Sequence, residues 1–133
     1  IHMVRDWKEK HSFVGEPKGT VVVEAPVRGK PTSLEITAEM RKACESLVGP
    51  LSETMLDLLS RVDPEYQQRV RNNVVLAGGG SQIPGLAAAL ERVLEDVGGG
   101  KVRAVEDPVF AGANGSLAIA ADAPEGDWER LAG

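Results

Sequence analysis

The residues best suited to bind a ligand are three consecutive glycines, Gly78, Gly79 and Gly80, which follow the apolar run Val74–Leu76. Because glycine has no Cβ, such a turn lets a flat ligand or another backbone come close to the chain. An alanine- and leucine-rich segment from Leu86 predicts a helix, and the unpaired amide groups at a helix start attract anions. We therefore predict a strand, a sharp turn and a helix, with a ligand site beyond the carboxyl end of the strand.

The glycine turn does not match two common nucleotide motifs. A P-loop ends in Gly-Lys-Ser or Gly-Lys-Thr, and the sequence contains neither. The dinucleotide fingerprint needs a further glycine where Ile83 stands. From composition, a turn that only packs a helix on a strand explains the stretch as well as a nucleotide site does.

The usual catalytic arrangements are not evident in the sequence. The histidines, His2 and His11, do not have the spacing of metal ligands. Ser81 lies outside a Gly-x-Ser-x-Gly motif, which a hydrolase nucleophile would need. Glu106 and Asp107 precede a predicted helix, where acidic residues stabilise the helix start. We therefore predict neither a catalytic residue nor a metal site in this chain.

The strands that accompany this turn are predicted from β-branched and alternating runs. Residues 20–25 and 32–36 predict a hairpin whose turn covers residues 26–31, with Gly29 near its tip. Residues 101–105 alternate and predict a further strand.

A long helix is predicted after the hairpin. Thr37 has the side chain of an N-cap, and apolar residues keep helical spacing up to Val62. Pro50 interrupts this run, so we predict a kink or break there. Cys44 lies on the apolar side and is predicted to be a packed thiol.

Shorter helices complete the chain. Asp63 and Pro64 predict a helix start by a capping side chain and a proline at the first position, with an end near Arg71. Apolar periodicity and Gly or Pro breaks predict three further helices, at 4–11, 86–97 and 109–121. Gly98–Gly100 stops the second of these helices, and Glu106–Pro108 caps the third. A tail follows at 122–133, in which Trp128 packs back on the body.

Length and composition restrict the class of protein. The 133 residues are 42% hydrophobic and 26% charged, which predicts one soluble domain. A net charge of -5 argues against nucleic acid or an anionic membrane as the main partner. The single Cys44 fits a reducing cytoplasm, and no apolar run approaches the roughly 20 residues of a membrane span. We expect a cytoplasmic protein without direct membrane insertion.

Two stretches resemble motifs of the actin-like ATPase superfamily, which includes actin, bacterial MreB and the ATPase domain of heat-shock chaperones. Residues 73–86 resemble its adenosine motif, where an apolar strand runs into small residues and a Gly or Pro follows. Residues 106–118 resemble its second connecting helix in their small-residue pattern. The motifs have the order and separation of the family, and the resemblance covers about residues 4–131. The residues at 122–124 and Trp128 look most like those of the bacterial actins that align magnetosomes.

The resemblance implies a fold and a domain organisation. It implies the ribonuclease H-like α/β fold of the second actin lobe (subdomains IIA and IIB), incomplete and with α+β elements in a small subdomain. Because both phosphate loops and the water-positioning residues of the family lie upstream, we expect a fragment. The predicted division is a possible cloning remnant at 1–3, an outer subdomain at 4–71, an inner subdomain at 72–121 and a tail at 122–133.

The resemblance also implies a nucleotide site for ATP or ADP with Mg²⁺ in the intact protein. The glycine turn would form its floor, the residues after it would flank the base, and a lysine and a glutamate on the first helix would reach the ribose or adenine. Carried to this sequence, these residues are Gly78, Gly79, Gly80, Ser81, Gln82, Ile83, Lys8 and Glu9. The alternative for the first helix is a solvated charged helix end, and Lys10 is the neighbouring candidate if the register shifts by one.

Two functions remain open from the sequence. The first is the adenosine-side half of a filament-forming bacterial actin-like ATPase, whose partners are its own protomers and magnetosome adaptor proteins. The second is an interaction module with the same fold and a vestigial nucleotide site. In the first case Gly112 and Gly115 would let the connecting helix approach the nucleotide cleft or the first lobe. Without the first lobe, we expect apolar surface along that helix to be exposed.

Overall fold

A computed structural model describes residues 2–132 of the chain, without the side chains of residues 131 and 132. The described residues form helices and short strands in alternation. In chain order they are α1 (His2–His11), β1 (Val22–Val27), β2 (Lys30–Glu35), α2 (Thr37–Glu45), α3 (Val48–Ser60), α4 (Pro64–Arg71), β3 (Val74–Leu76), a 3-10 turn (Gly79–Gln82), α5 (Leu86–Glu95), β4 (Val102–Ala104), α6 (Ala111–Asp122) and α7 (Glu125–Ala132).

The hairpin of β1 and β2 is antiparallel, as predicted, but its turn is much shorter than expected. Only Arg28 and Gly29 connect the strands, and both have positive φ, at 51° and 80°. This is the backbone of a type I′ turn, whose twist matches that of the flanking strands. The predicted turn over residues 26–31 is wrong, because Pro26 and Pro31 face each other inside the ladder. Proline is tolerated there because both strands are edges.

The predicted long helix is two helices. The chain leaves α2 after Glu45 and enters α3 at Val48, so the break precedes Pro50. Pro50 lies in the first turn of α3, where a missing amide proton costs nothing. Thr37 is the first residue of α2 and not its side-chain cap. Its Oγ1 instead accepts a hydrogen bond from the Val21 amide at 2.8 Å and ties α2 to the start of the hairpin.

The other two predicted caps are also wrong. Asp63 precedes α4, which begins at Pro64 as predicted, but the Asp63 side chain makes no capping hydrogen bond. No side chain caps α6 either, and this helix begins two residues later than expected. Asp107 contacts it differently, since its Oδ2 accepts a hydrogen bond from Asn114 Nδ2 at 3.2 Å. The sequence predicted where these helices start better than it predicted their capping contacts.

The core is built around the β3–α5–β4 unit. Strands β3 and β4 are parallel, and α5 connects them and packs against both β4 and α3. Leu94 is fully buried and Leu90 is 2% exposed. The remaining buried members of this core come from several elements and are Val14, Cys44, Leu59, Leu86, Ala89 and Val102. The packed thiol predicted at Cys44 is confirmed. Because both predicted subdomains contribute to one cluster, their boundary at residues 71–72 stays a prediction.

The end of α5 follows the predicted glycine stop. The amide of Gly99 donates to the Leu94 carbonyl at 2.8 Å, and that of Gly98 donates to the Glu95 carbonyl at 3.3 Å. These two bonds are the pattern of a Schellman cap. The chain then turns directly into β4.

The last two helices are largely exposed. No residue of α6 is buried, and its Leu117 and Ile119 are 69% and 74% exposed. The apolar exposure expected along this helix is therefore observed. The predicted tail contains helix α7, and Trp128 remains 47% exposed where packing on the body was expected. No described helix combines the length and the apolar character that a membrane crossing requires.

Candidate functional site

The glycine turn begins with a backbone conformation that favours glycine. Gly78 has φ 83°, in the left-handed region, and its amide donates to the Pro108 carbonyl at 2.6 Å. This bond fixes the end of β3 to the loop that precedes α6. Gly78 therefore shapes the turn, and its predicted place in a nucleotide floor stays a prediction.

The amide and the hydroxyl of Ser81 both form hydrogen bonds within the turn itself. Its amide donates to the Gly78 carbonyl at 3.0 Å, and its hydroxyl donates to the same oxygen at 2.8 Å. These bonds close the 3-10 turn, an element that the sequence did not predict. The Ser81 hydroxyl consequently faces its own backbone and not the cavity described below.

The next two glycines leave their amide groups available. Within residues 2–132, the amides of Gly79 and Gly80 donate to no protein acceptor. A Cβ built on either residue would meet no atom within 4 Å, so the space above both is open. Neighbouring free amides beside open space form a place for an anionic oxygen. They belong to the 3-10 turn, because residues 83–85 separate it from α5.

A cavity of about 540 Å³ lies between this turn and the end of α1. Its size falls within the roughly 300–1,000 Å³ typical of small-molecule sites. Six of the eight predicted site residues line it, and Gly78 and Ser81 do not. The lining residues are Lys8, Glu9, Lys10, Ser12, Leu47, Gly79, Gly80, Gln82, Ile83, Pro84 and Val109. The structure thus brings the helical candidates and the glycine turn to the two sides of one cavity.

The charges of this cavity come from α1. Lys8 and Lys10 are basic, while the carboxylate of Glu9 is held by Arg5, whose Nε lies 2.9 Å from Glu9 Oε1. The hydrogen bond from Arg5 and then its positive charge hold the pKa of the Glu9 carboxyl below its ordinary value. The opposite wall, with Ile83 and Pro84, is uncharged, and the cavity has a basic side and an apolar side.

The two walls are joined next to the cavity by a close backbone contact. Val14 follows α1 and is buried in the core, and its amide donates to the Pro84 carbonyl at 2.8 Å. Gly85 has φ 86°, and a Cβ on it would lie 2.1 Å from the Val14 carbonyl oxygen. Only glycine fits there. Sequence analysis missed this contact, although the Pro-Gly pair was its available signal.

A second cavity, of about 320 Å³, lies between α3, α4 and β3. Leucine, valine and methionine side chains such as Leu51, Met55 and Val70 line it, and none of its lining residues is charged. A triphosphate would find no cationic partner there. The cavity beside the glycine turn is therefore the better candidate for a nucleotide.

Two further expectations concern α6 and metals. A Cβ on Gly112 or Gly115 would meet nothing within 4 Å, so in the described chain this helix packs closely against no other backbone at these positions. Val109, just before α6, is the residue of this segment that lines the cavity.

Among the described residues there is no group of three or more His, Cys, Asp and Glu side chains that could hold a metal ion.

Comparison with known proteins identifies the family. No protein-family model matches the chain. Two curated proteins named actin-like protein MamK, from Paramagnetospirillum magneticum and Magnetospirillum gryphiswaldense, are each 40% identical over 124 residues, or 93% of this chain. The solved structure of the MamK double helical filament matches 90% of the chain with a TM-score of 0.86. The chain is part of an actin-like protein.

The extent of the match defines how large that part is. The chain spans 36% and 34% of the two MamK proteins and 37% of the filament structure's chain, or about a third. A structure of a non-polymerising MamK mutant bound to AMPPNP matches 88% of this chain with a TM-score of 0.81. A MamK-like protein of Paramagnetospirillum magneticum is 32% identical over 130 residues. These matches confirm the predicted actin-like α/β fold, which is present here in part.

Proposed function

We propose that this chain forms one side of the nucleotide site of an actin-like protein. The observation that carries the proposal is the pair Gly79 and Gly80, whose amides donate to no acceptor in the described chain and which line the same cavity as Lys8 and Glu9. The amides suit phosphate oxygens, and the apolar wall at Ile83 suits a purine ring. Lys8 and Glu9 line the same cavity and are the residues that the resemblance assigns to the ribose or adenine. A solved MamK mutant bound to AMPPNP supports the same assignment.

The proposed nucleotide is ATP or ADP with Mg²⁺. The free amides of Gly79 and Gly80 fit the phosphates, and Glu9 is the acidic side chain that lines the cavity. In this proposal Mg²⁺ is held mainly by the phosphates, as is common for this ion. Hydrolysis in the intact protein would depend on positioning and charge around the phosphates.

The same proposal includes assembly into filaments in the bacterial cytoplasm. It is supported by the similarity to the MamK double helical filament. The exposed apolar residues of α6, Leu117 and Ile119, are a surface that another lobe or protomer would cover. Magnetosome adaptor proteins remain predicted partners from the resemblance.

Replacing Gly79 with valine is expected to raise the Kd for AMPPNP at least about tenfold. The new side chain would fill the open space over both amides, and hydrogen bonds to charged groups contribute about 1.5–3 kcal/mol each. Isothermal titration calorimetry measures the change. Gly19→Val is the matched control, because Gly19 also lacks positive φ and has open space around its Cβ, but does not line the cavity.

Equal affinities in the two variants would contradict the proposed site. The same titration on the longer protein separates the two functions. AMPPNP binding that requires the longer protein and is lost with Gly79→Val supports the nucleotide site. If AMPPNP binds neither this chain nor the longer protein, the alternative is favoured, which is an interaction module with a vestigial nucleotide site.

We expect no ATP turnover by this chain without the rest of the protein. Activation of the attacking water needs a general base that lines the cavity. Glu9 is the carboxylate that lines it, and this carboxylate is bound to Arg5. Phosphate release above background, abolished by Gly79→Val, would contradict this expectation.

A further inference from the structure

Strand β3 has one edge that no strand of the described chain covers. Its other edge pairs with β4 in a two-stranded parallel sheet. The amide of Val74 donates to the Lys101 carbonyl at 3.1 Å, and that of Val105 donates to the Leu76 carbonyl at 3.0 Å. Because bonded residues alternate along a parallel strand, the amide and carbonyl of Val75 point to the free edge. Parallel sheets are normally buried, so this edge is a place where a further strand can pair.

An apolar groove adjoins the free edge. It is the cavity of about 320 Å³ between α3, α4 and β3, and none of its lining residues is charged. Leu51 and Leu58 line it from α3 and are 41% and 58% exposed. Val74 and Leu76 also line it, so the groove and the edge form one continuous surface. We call this the β3 surface, and its residues are Leu51, Leu58, Val70, Val74, Val75 and Leu76.

The other strands of the described chain contain residues that oppose pairing with a further strand. Proline stands inside β1 and β2, at Pro26 and Pro31. Strand β4 has Arg103 at its centre. Proline and charged side chains are the usual means by which an edge strand avoids pairing with another chain. Strand β3 contains neither, so its edge is the one that the sequence leaves open.

The cover of the β3 surface must come from another molecule or from residues outside this chain. The structure describes residues 2–132, and the single residue beyond each end is too short to form a strand. A second copy supplies a strand of matching chemistry. Two β3 strands related by a two-fold axis would run antiparallel, and each Val75 amide would donate to the Val75 carbonyl of the other copy. The uncharged groove lets the two surfaces meet although each chain has a net charge of -5.

We infer that the β3 surface binds a second copy of this chain, through antiparallel pairing of the two β3 strands and contact between the two grooves. The resulting sheet has four strands in the order β4–β3–β3–β4. The groove and the cavity beside the glycine turn share no lining residue. This contact therefore goes beyond the proposed nucleotide site, and neither depends on the other.

Analytical ultracentrifugation of the chain at micromolar to millimolar concentration tests the inference. The wild-type chain is expected to show a reversible monomer–dimer equilibrium. Leu58→Lys is expected to raise the Kd of the dimer at least about tenfold, because an unpaired charge would be buried where the grooves meet. Leu58 is 58% exposed in the single chain, so this variant is expected to remain folded, which its urea denaturation curve checks.

The matched control is Val22→Lys, which introduces the same charge on β1. Val22 is 54% exposed and does not line the groove, so the Kd of the dimer is expected to stay unchanged. Hydrogen exchange of the Val75 amide is a second readout. Its protection is expected to rise with protein concentration in the wild type and to remain low in Leu58→Lys, whereas unspecific association would leave this amide unprotected.

Four results would contradict the inference. They are a wild-type chain that stays monomeric at millimolar concentration, a dimer that Leu58→Lys leaves intact, and an equal loss of the dimer in Val22→Lys. The fourth comes from the longer protein. If its Val75 amide stayed protected when the protomers were separated by dilution, a strand of the same molecule would cover the edge instead of a second copy.

Discussion

Gly85→Ala is expected to lower the free energy of unfolding by about 2–5 kcal/mol, from left-handed backbone strain together with overpacking. Gly85 has φ 86°, a conformation that alanine adopts at a cost. The added Cβ would also lie 2.1 Å from the Val14 carbonyl oxygen, which is backbone and has no flexible end to move. Urea denaturation measures the change.

Two other glycines separate strain from contact in this prediction. Gly15 has φ 93° but open space around its Cβ, so Gly15→Ala carries the strain without the clash and is expected to cost about 1–2 kcal/mol. Gly19 has neither, so Gly19→Ala is expected to be neutral or stabilising by up to about 1 kcal/mol. If Gly85→Ala and Gly15→Ala lowered the free energy of unfolding equally, the predicted clash of the new Cβ with Val14 would be contradicted.

The Gly85 contact links stability to the candidate site. Val14 follows α1, which carries Lys8 and Glu9, while Pro84 and Gly85 follow the glycine turn. The Val14–Pro84 hydrogen bond therefore fixes the distance between the two sides of the cavity. A variant that breaks this contact is therefore expected to change the cavity as well as to lower the free energy of unfolding.

Periodicity carried most of the correct fold predictions. The apolar stripe from Leu86 to Val97 mixes spacings of three and four residues, which places its members on one face of a helix but on both faces of a strand. Its members Leu86, Leu90 and Leu94 are buried. The short strand at Val74–Leu76 and the alternating strand at Val102–Ala104 were also correctly predicted. Parallel pairing follows from a helix between two strands.

Caps and breaks were predicted less well, because several local solutions satisfy the same backbone groups. Thr37 has the chemistry of a cap, yet its hydroxyl serves the Val21 amide, which is distant in sequence. Pro50 fits the first turn of a helix as well as it breaks one, so the residue type did not place the break. Such choices depend on tertiary contacts that one sequence does not reveal.

The candidate site was partly accessible from sequence. Lys8, Glu9 and the glycines came from the resemblance, and the structure places most of them around one cavity. The spacing of Arg5 and Glu9, four residues apart on a predicted helix, was a readable signal for their ion pair. The free amides of Gly79 and Gly80 were not readable, because they depend on the 3-10 turn that Ser81 closes.

Leu94→Ala is expected to lower the free energy of unfolding by about 2–5 kcal/mol, the range for truncating a buried leucine. Leu94 is fully buried on α5, the helix that packs against both α3 and β4. Alanine is the best helix former, so the loss would come from the cavity and not from helix propensity. The midpoint of urea denaturation measures it.

The controls for Leu94 distinguish core packing from a general effect of leucine loss. Leu117→Ala removes the same atoms from α6, where the side chain is 69% exposed, and is expected to change stability by less than about 0.5 kcal/mol. Leu94→Met keeps the volume and is expected to cost less than about 1.5 kcal/mol. Similar losses at Leu94 and Leu117 would contradict a core centred on α5.

A domain of this kind is stable by only about 5–15 kcal/mol, so the free energy lost in Leu94→Ala would be a large share of the total. Because only residues 83–85 separate α5 from the turn beside the candidate cavity, that loss is also expected to weaken the proposed binding of AMPPNP.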